Sequence, residues 1–92
     1  MNTKEKTEAI AQYVRQNPSE NPDEGDYYMI NIKKSEKNNF YDKEHGHFNI
    51  WFVNLIRKNE IECYCIGNSE NDFLMKPTEE MIDYLYDYIT NK

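Results

Sequence analysis

Between Ile50 and Ile56 the chain reads IWFVNLI, with apolar residues at positions of both parities. Side chains on a strand alternate between faces, so a run apolar at both parities fits the centre of a sheet, covered on both sides. With its flanks, HFNIWFVNLIRK reads as one continuous strand. Its neighbours and its cover must come from a chain of 92 residues, which is one small domain, residues 1–92, with no room for a second core. Aromatic residues make up 14% of the chain, eight of them Tyr, so a core can form although polar residues dominate.

Two further strands are legible. In YYMINIKK the residues Tyr28, Ile30 and Ile32 alternate with Tyr27, Met29, Asn31 and Lys33, the period of a half-buried strand. Lys58-Asn59 reads as a two-residue hairpin turn, after which EIECYCIG returns as the third strand. That turn predicts a register in which Cys63 faces Asn54, Tyr64 faces Val53 and Cys65 faces Phe52. SEKNNFYDKEHG is read as a polar connection, and NPSENPDEGD and GNSENDFLMK as loops. Phe73, Leu74 and Met75 either add a short fourth edge strand or plug the core.

Helices are expected at both ends. NTKEKTEAIAQYVRQN offers Asn2 as N-cap with Glu5 three places on, a capping-box spacing, and a narrow stripe of Ile10, Tyr13 and Val14 edged by Thr7 and Ala11. Pro18 ends it. PTEEMIDYLYDYITNK places Pro77 in the first turn of a second helix and gathers Met81, Ile82, Leu85, Tyr88 and Ile89 into its buried stripe. The expected fold is therefore α+β: a helix, a three-stranded antiparallel meander sheet with the optional short fourth strand, and a C-terminal helix. Two short helices cover one sheet face. The other, carrying Trp51, Val53, Leu55, Tyr64 and Ile66, is the candidate dimer face.

Chemistry is sparse. His45, His47, Cys63 and Cys65 are a zinc-like inventory, but the predicted register sets His47 near Glu70, about 16 Å along the ladder from Cys65. No Gly-rich phosphate loop and no nucleophile beside a base is present, and the paired acids Asp23-Glu24 and Glu79-Glu80 sit in expected exposed surface. The expectation is a protein that is not an enzyme and needs no metal or cofactor. Two cysteines, no signal peptide and no long apolar run point to a cytoplasmic chain without a membrane partner. The helix–strands–helix order is shared with double-stranded-RNA-binding domains, which need a Lys-rich start to the second helix. Here that start reads Pro77-Thr78-Glu79-Glu80, so direct nucleic-acid binding is not expected.

Charge is the remaining signal. The net charge is −6, and the acids cluster: Glu20, Asp23, Glu24 and Asp26 in one loop, Glu60, Glu62, Glu70 and Asp72 around the third strand, and Glu79, Glu80, Asp83 and Asp87 on the outer side of the second helix, read as an unpaired row. Lys33, Lys34, Lys37 and Lys43 form a contrasting basic stretch. Carboxylates four apart on a helix recur about every 6 Å, a spacing of the order of successive phosphates on a nucleic-acid strand. Such a row attracts basic DNA-binding surfaces.

The runs NPSENPDEGD, NSENDF and PTEEMIDYLYDY, in a small acidic α+β chain rich in Tyr, Asn and Lys, resemble the anti-restriction nuclease (Arn) proteins of T-even phages, which are DNA mimics. The resemblance implies a homodimeric, non-enzymatic inhibitor in the host cytoplasm. Its partner would be the DNA-binding surface of a modification-dependent restriction endonuclease of the McrBC kind, and of the nucleoid protein H-NS. The acids named above would carry that binding. Read from the residues alone, an acidic homodimeric chaperone or adaptor, using the apolar sheet face, is the alternative, together with an immunity protein for a basic toxin.

Overall fold

A computed structural model describes residues 1–16, 27–56, 63–66 and 73–91. The elements are α1 (Thr3–Gln16), β1 (Tyr27–Asn31), a 3-10 turn (Glu36–Asn38), β2 (Asn39–Asp42), β3 (Gly46–Asn49), β4 (Phe52–Ile56), β5 (Cys63–Ile66), β6 (Leu74–Met75) and α2 (Glu79–Thr90). The α+β class is as expected. The described strands form a four-stranded antiparallel sheet in the order β1-β4-β5-β6, and β2 pairs with β3 in a separate two-stranded sheet.

α1 begins as its sequence demands. Asn2 Oδ1 accepts the Glu5 backbone N–H at 2.8 Å while the Asn2 backbone N–H donates to Glu5 Oε1 at 3.2 Å, a reciprocal cap that satisfies two otherwise free groups. Ile10, Ala11 and Val14 are buried along its stripe, as are Met81, Ile82 and Leu85 along that of α2. These residues join Ile32, Phe48, Ile50 and Val53 in one core, so both helices pack over the sheet that carries Val53. The N-cap of α2 is Thr78, whose hydroxyl accepts from the Met81 backbone N–H; Pro77 therefore precedes the helix and does not sit in its first turn.

The expected continuous strand is two strands. Its first part pairs with β2 and its second with β1 and β5, with Ile50 and Trp51 between them. Phe48 and Ile50 are buried, then Val53 is buried, while Trp51 is 39% exposed. The inward parity thus changes from even to odd across Trp51. Part of the double-parity apolar run is explained by this switch and not by cover on two faces.

The segment read as a polar connection is a bolted-on hairpin. Asn38 is fully buried: its Nδ2 donates to the backbone carbonyls of Lys33 (2.9 Å) and Ile50 (2.6 Å), and its Oδ1 accepts from the Ser35 backbone N–H (2.9 Å) and Asn49 Nδ2 (2.7 Å). Every polar site of that amide is used. Phe40 meets Tyr84 of α2 edge-on at 5.9 Å, Phe48 meets Phe73 edge-on at 5.1 Å, and His45 stacks on Phe73 at 3.8 Å. At the hairpin tip Asp42 Oδ2 accepts from the backbone N–H groups of Glu44 and His45 and lies 2.8 Å from His45 Nδ1. These bonds, that of His45 Nδ1 first, hold the Asp42 carboxyl below its usual range. Gly46, at φ 73°, occupies the left-handed region that closes the turn.

The register of β4 and β5 is one residue off the expected one. Phe52 pairs with Ile66, Val53 with Cys65, Asn54 with Tyr64 and Leu55 with Cys63. With uninterrupted pairing this needs an odd number of connecting residues, so a two-residue turn does not generate it. Lys58 and Asn59 themselves lie outside the described residues.

Candidate partner-binding surface

The outer face of α2 is built by the helix period. With Leu85 at the centre of the buried stripe, Glu79, Glu80, Asp83 and Asp87 fall on the opposite side, and Tyr84 and Tyr86 border it. Glu79, Glu80 and Asp87 are exposed and Asp83 is half-exposed. Glu79 and Glu80 lie in the first turn, where the helix dipole favours them. Asp87 lies toward the other end, and no basic residue occupies the last turn to offset it.

The row is not unpaired, which corrects the sequence reading. Lys6 of α1 reaches across the helix interface and places its Nζ 2.9 Å from Asp83 Oδ1, with 5.6 Å to the centroid of the Tyr86 ring. The hydrogen bond to Asp83 raises the Lys6 pKa above its ordinary value, against the opposing effect of desolvation, and the charges of Asp83 and Asp87 add to the rise. Among the described residues no cation comes within ion-pair distance of Glu79, Glu80 or Asp87. Among the described residues, the anionic face is therefore three carboxylates without an ion-pair partner around one that is paired with Lys6. Lys6 had a signal in the sequence: it stands four residues before Ile10, beside the apolar stripe, so whatever packs on α1 comes within its reach.

Glu20, Asp23, Glu24, Asp26, Glu60, Glu62, Glu70 and Asp72 lie outside the described residues, so the structure does not join them to this face. Lys33, Lys34, Lys37 and Lys43 are exposed, and they belong to the segment that carries the 3-10 turn and the β2–β3 hairpin.

The candidate dimer face is not one open surface. Val53 is fully buried in the core beneath the helices, whereas Trp51 is partly exposed on the other side of the parity switch. The observed register also pairs Val53 with Cys65 and Leu55 with Cys63, so Tyr64 and Ile66 stand at positions alternate to Val53 and Leu55.

His47 is paired with Tyr41 in the β2–β3 sheet, not with the β5 ladder near Glu70 where the sequence placed it. Asp42, Glu44 and His45 bring one ligand atom each within 4.8 Å of the others. Within that group Asp42 and His45 are joined by the bonds that close the hairpin turn. A cleft of about 260 Å³ lies between α1 and α2, lined by Ala9, Gln12, Tyr13, Gln16, Tyr86, Ile89 and Thr90; this lining holds no carboxylate, imidazole, thiol or amine. Among the described residues no helix is long and apolar enough to cross a membrane. Comparison with family models, with curated proteins and with solved structures finds no match to this chain.

Proposed function

We propose that this protein is a non-catalytic acidic inhibitor that occupies the DNA-binding surface of another protein, with the outer face of α2 standing in for a run of phosphates. The observation that carries the reading is the exposure of Glu79, Glu80 and Asp87 on one side of one helix, with no cation of the described residues paired to them. The pairs one turn apart on this face, Glu79–Asp83 and Asp83–Asp87, each cost about 0.2–0.5 kcal/mol before Lys6 offsets part of it through Asp83. A basic cleft repays that by relieving the repulsion and releasing counterions. The resemblance to the Arn proteins extends the proposal to a phage-encoded inhibitor of a modification-dependent restriction endonuclease of the McrBC kind, with H-NS as a second target. The adaptor reading is weakened at its centre, because Val53 is enclosed by the chain's own helices.

The test is capture of such an endonuclease or of H-NS on the immobilised protein, with duplex DNA as competitor. Mimicry requires that added DNA release the captured protein and that a Glu79→Gln, Glu80→Gln, Asp87→Asn triple variant, still helical by circular dichroism, lose at least tenfold in affinity. Capture indifferent to both DNA and the triple substitution would overturn the reading.

A further inference from the structure

The Lys6–Asp83 contact joins residues 77 positions apart and sits inside the face assigned to the partner. We propose that Lys6 is a built-in competitor for the basic group that docks on α2, and that it sets which basic partners this face holds and how tightly. The inference rests on the reading of α2 as a partner-binding surface.

Geometry gives Lys6 that role. Its Nζ holds one oxygen of Asp83, Oδ1, at 2.9 Å, and lies 5.6 Å from the centroid of the Tyr86 ring at the border of the face, so an incoming cation that takes both carboxylate oxygens must displace it. Its side chain is 23% exposed and that of Asp83 50%, so the pair is partly covered and still in contact with water. A lysine ammonium is charged throughout the neutral range, and the hydrogen bond to Asp83 raises its pKa further. A half-exposed ion pair of this kind is weak and screened by salt, so it can be displaced and does not act as a lock.

A partner therefore meets Glu79, Glu80 and Asp87 first. Asp83 is half-exposed and can be approached, but both of its oxygens become free only when Lys6 swings away. An arginine is the better displacing group, because its planar fork can bind a carboxylate through two donors where an ammonium acts as a point charge. The face is thereby biased toward arginine-bearing surfaces over lysine-bearing ones of equal charge.

Substituting Lys6→Met keeps the stem and removes the charge. The comparison is Lys4→Met, which makes the same change in net charge at an exposed position of the same helix with no ion pair among the described residues. Octa-arginine and octa-lysine peptides serve as probes, with affinity read by fluorescence anisotropy at low salt and helix content by circular dichroism. Lys6→Met is expected to bind octa-lysine about 1.5–5-fold more tightly, the range spanned by one released surface ion pair, and to narrow the preference for octa-arginine. Asp83→Asn is expected to change little in the wild type but to erase the gain in the Lys6→Met background.

Equal gains from Lys4→Met and Lys6→Met would overturn the proposal, since net charge alone would then account for them. So would an unchanged affinity in Lys6→Met while the Glu79, Glu80, Asp87 triple variant still weakens binding, a result that leaves the surface assignment standing. Failure of wild type and Lys6→Met alike to bind either peptide would remove the surface assignment, and this inference with it.

Discussion

At the scale of single residues, Asn38 organises more of this molecule than its polarity suggests. Its amide closes hydrogen bonds to residues on three sides, Lys33, Ser35 and Asn49 with Ile50, and its own carbonyl accepts the Ile50 backbone N–H at 3.1 Å. Removing the side chain leaves the buried Ile50 carbonyl without this partner and frees the part-buried Lys33 carbonyl, Ser35 N–H and Asn49 amide. Asn38→Ala is therefore expected to lower stability by about 2–4 kcal/mol, read as a drop in the urea midpoint. Asn38→Asp is expected to cost at least as much at neutral pH, because the carboxylate replaces two donors by acceptors facing carbonyls. A change under about 0.5 kcal/mol in Asn38→Ala would mean that the hairpin is held by its phenylalanines alone. Nothing in SEKNNF marks Asn38 as buried, since Asn49, at the end of β3, and Ile50, just after it, complete its bonding from beyond the hairpin turn.

At the scale of elements, what was legible was local. The Asn2–Glu5 cap, the buried stripes of both helices and the pairing of the segments around Tyr28, Val53 and Tyr64 follow from spacings within a few residues. Three features were not legible. The split of the long strand at Trp51 depends on two sheets competing for one run, which periodicity alone reads as a single strand. The β4–β5 register is one residue off the one that a Lys58-Asn59 turn gives, a shift that changes every pair, and the residues that connect the two strands lie outside the described ones. The Lys6–Asp83 pair depends on how α1 meets α2. For α2 itself the charge arrangement gives an expectation opposite in sign to most substitutions. Asp87 sits toward the negative end of the dipole and repels Asp83 one turn away, a repulsion that its attraction to Lys6 partly offsets, so Asp87→Asn is expected to stabilise the fold by a small amount, about 0.3 kcal/mol. The same change should weaken binding of a basic partner. Thermal unfolding and anisotropy on one variant measure both, and a loss of stability would show that Asp87 is held by the fold and not kept against it.

At the scale of the whole molecule, the balance of charge sets how the protein responds to salt. With a net charge of −6, repulsion among like charges is expected to outweigh the attractions, the Lys6–Asp83 pair included. Raising ionic strength from about 0.01 M to about 0.15 M shortens the screening length from about 30 Å to about 8 Å, which spans the change from coupled to nearly independent surface charges. Screening relieves the repulsion within α2 and among the other acids, so the melting temperature is expected to rise with sodium chloride over this range. Binding of octa-arginine draws on the same field from outside, and its affinity is expected to fall over the same range. The two responses must therefore have opposite signs in the wild type. In the Glu79→Gln, Glu80→Gln, Asp87→Asn variant both responses should weaken, the binding response more, because these three carboxylates supply part of the repulsion and are the groups assigned to the partner. A melting temperature that falls with salt in the wild type would mean that internal ion pairs dominate the surface. The outer face of α2 would then be compensated within the chain, with little unrelieved charge left for a basic partner to neutralise.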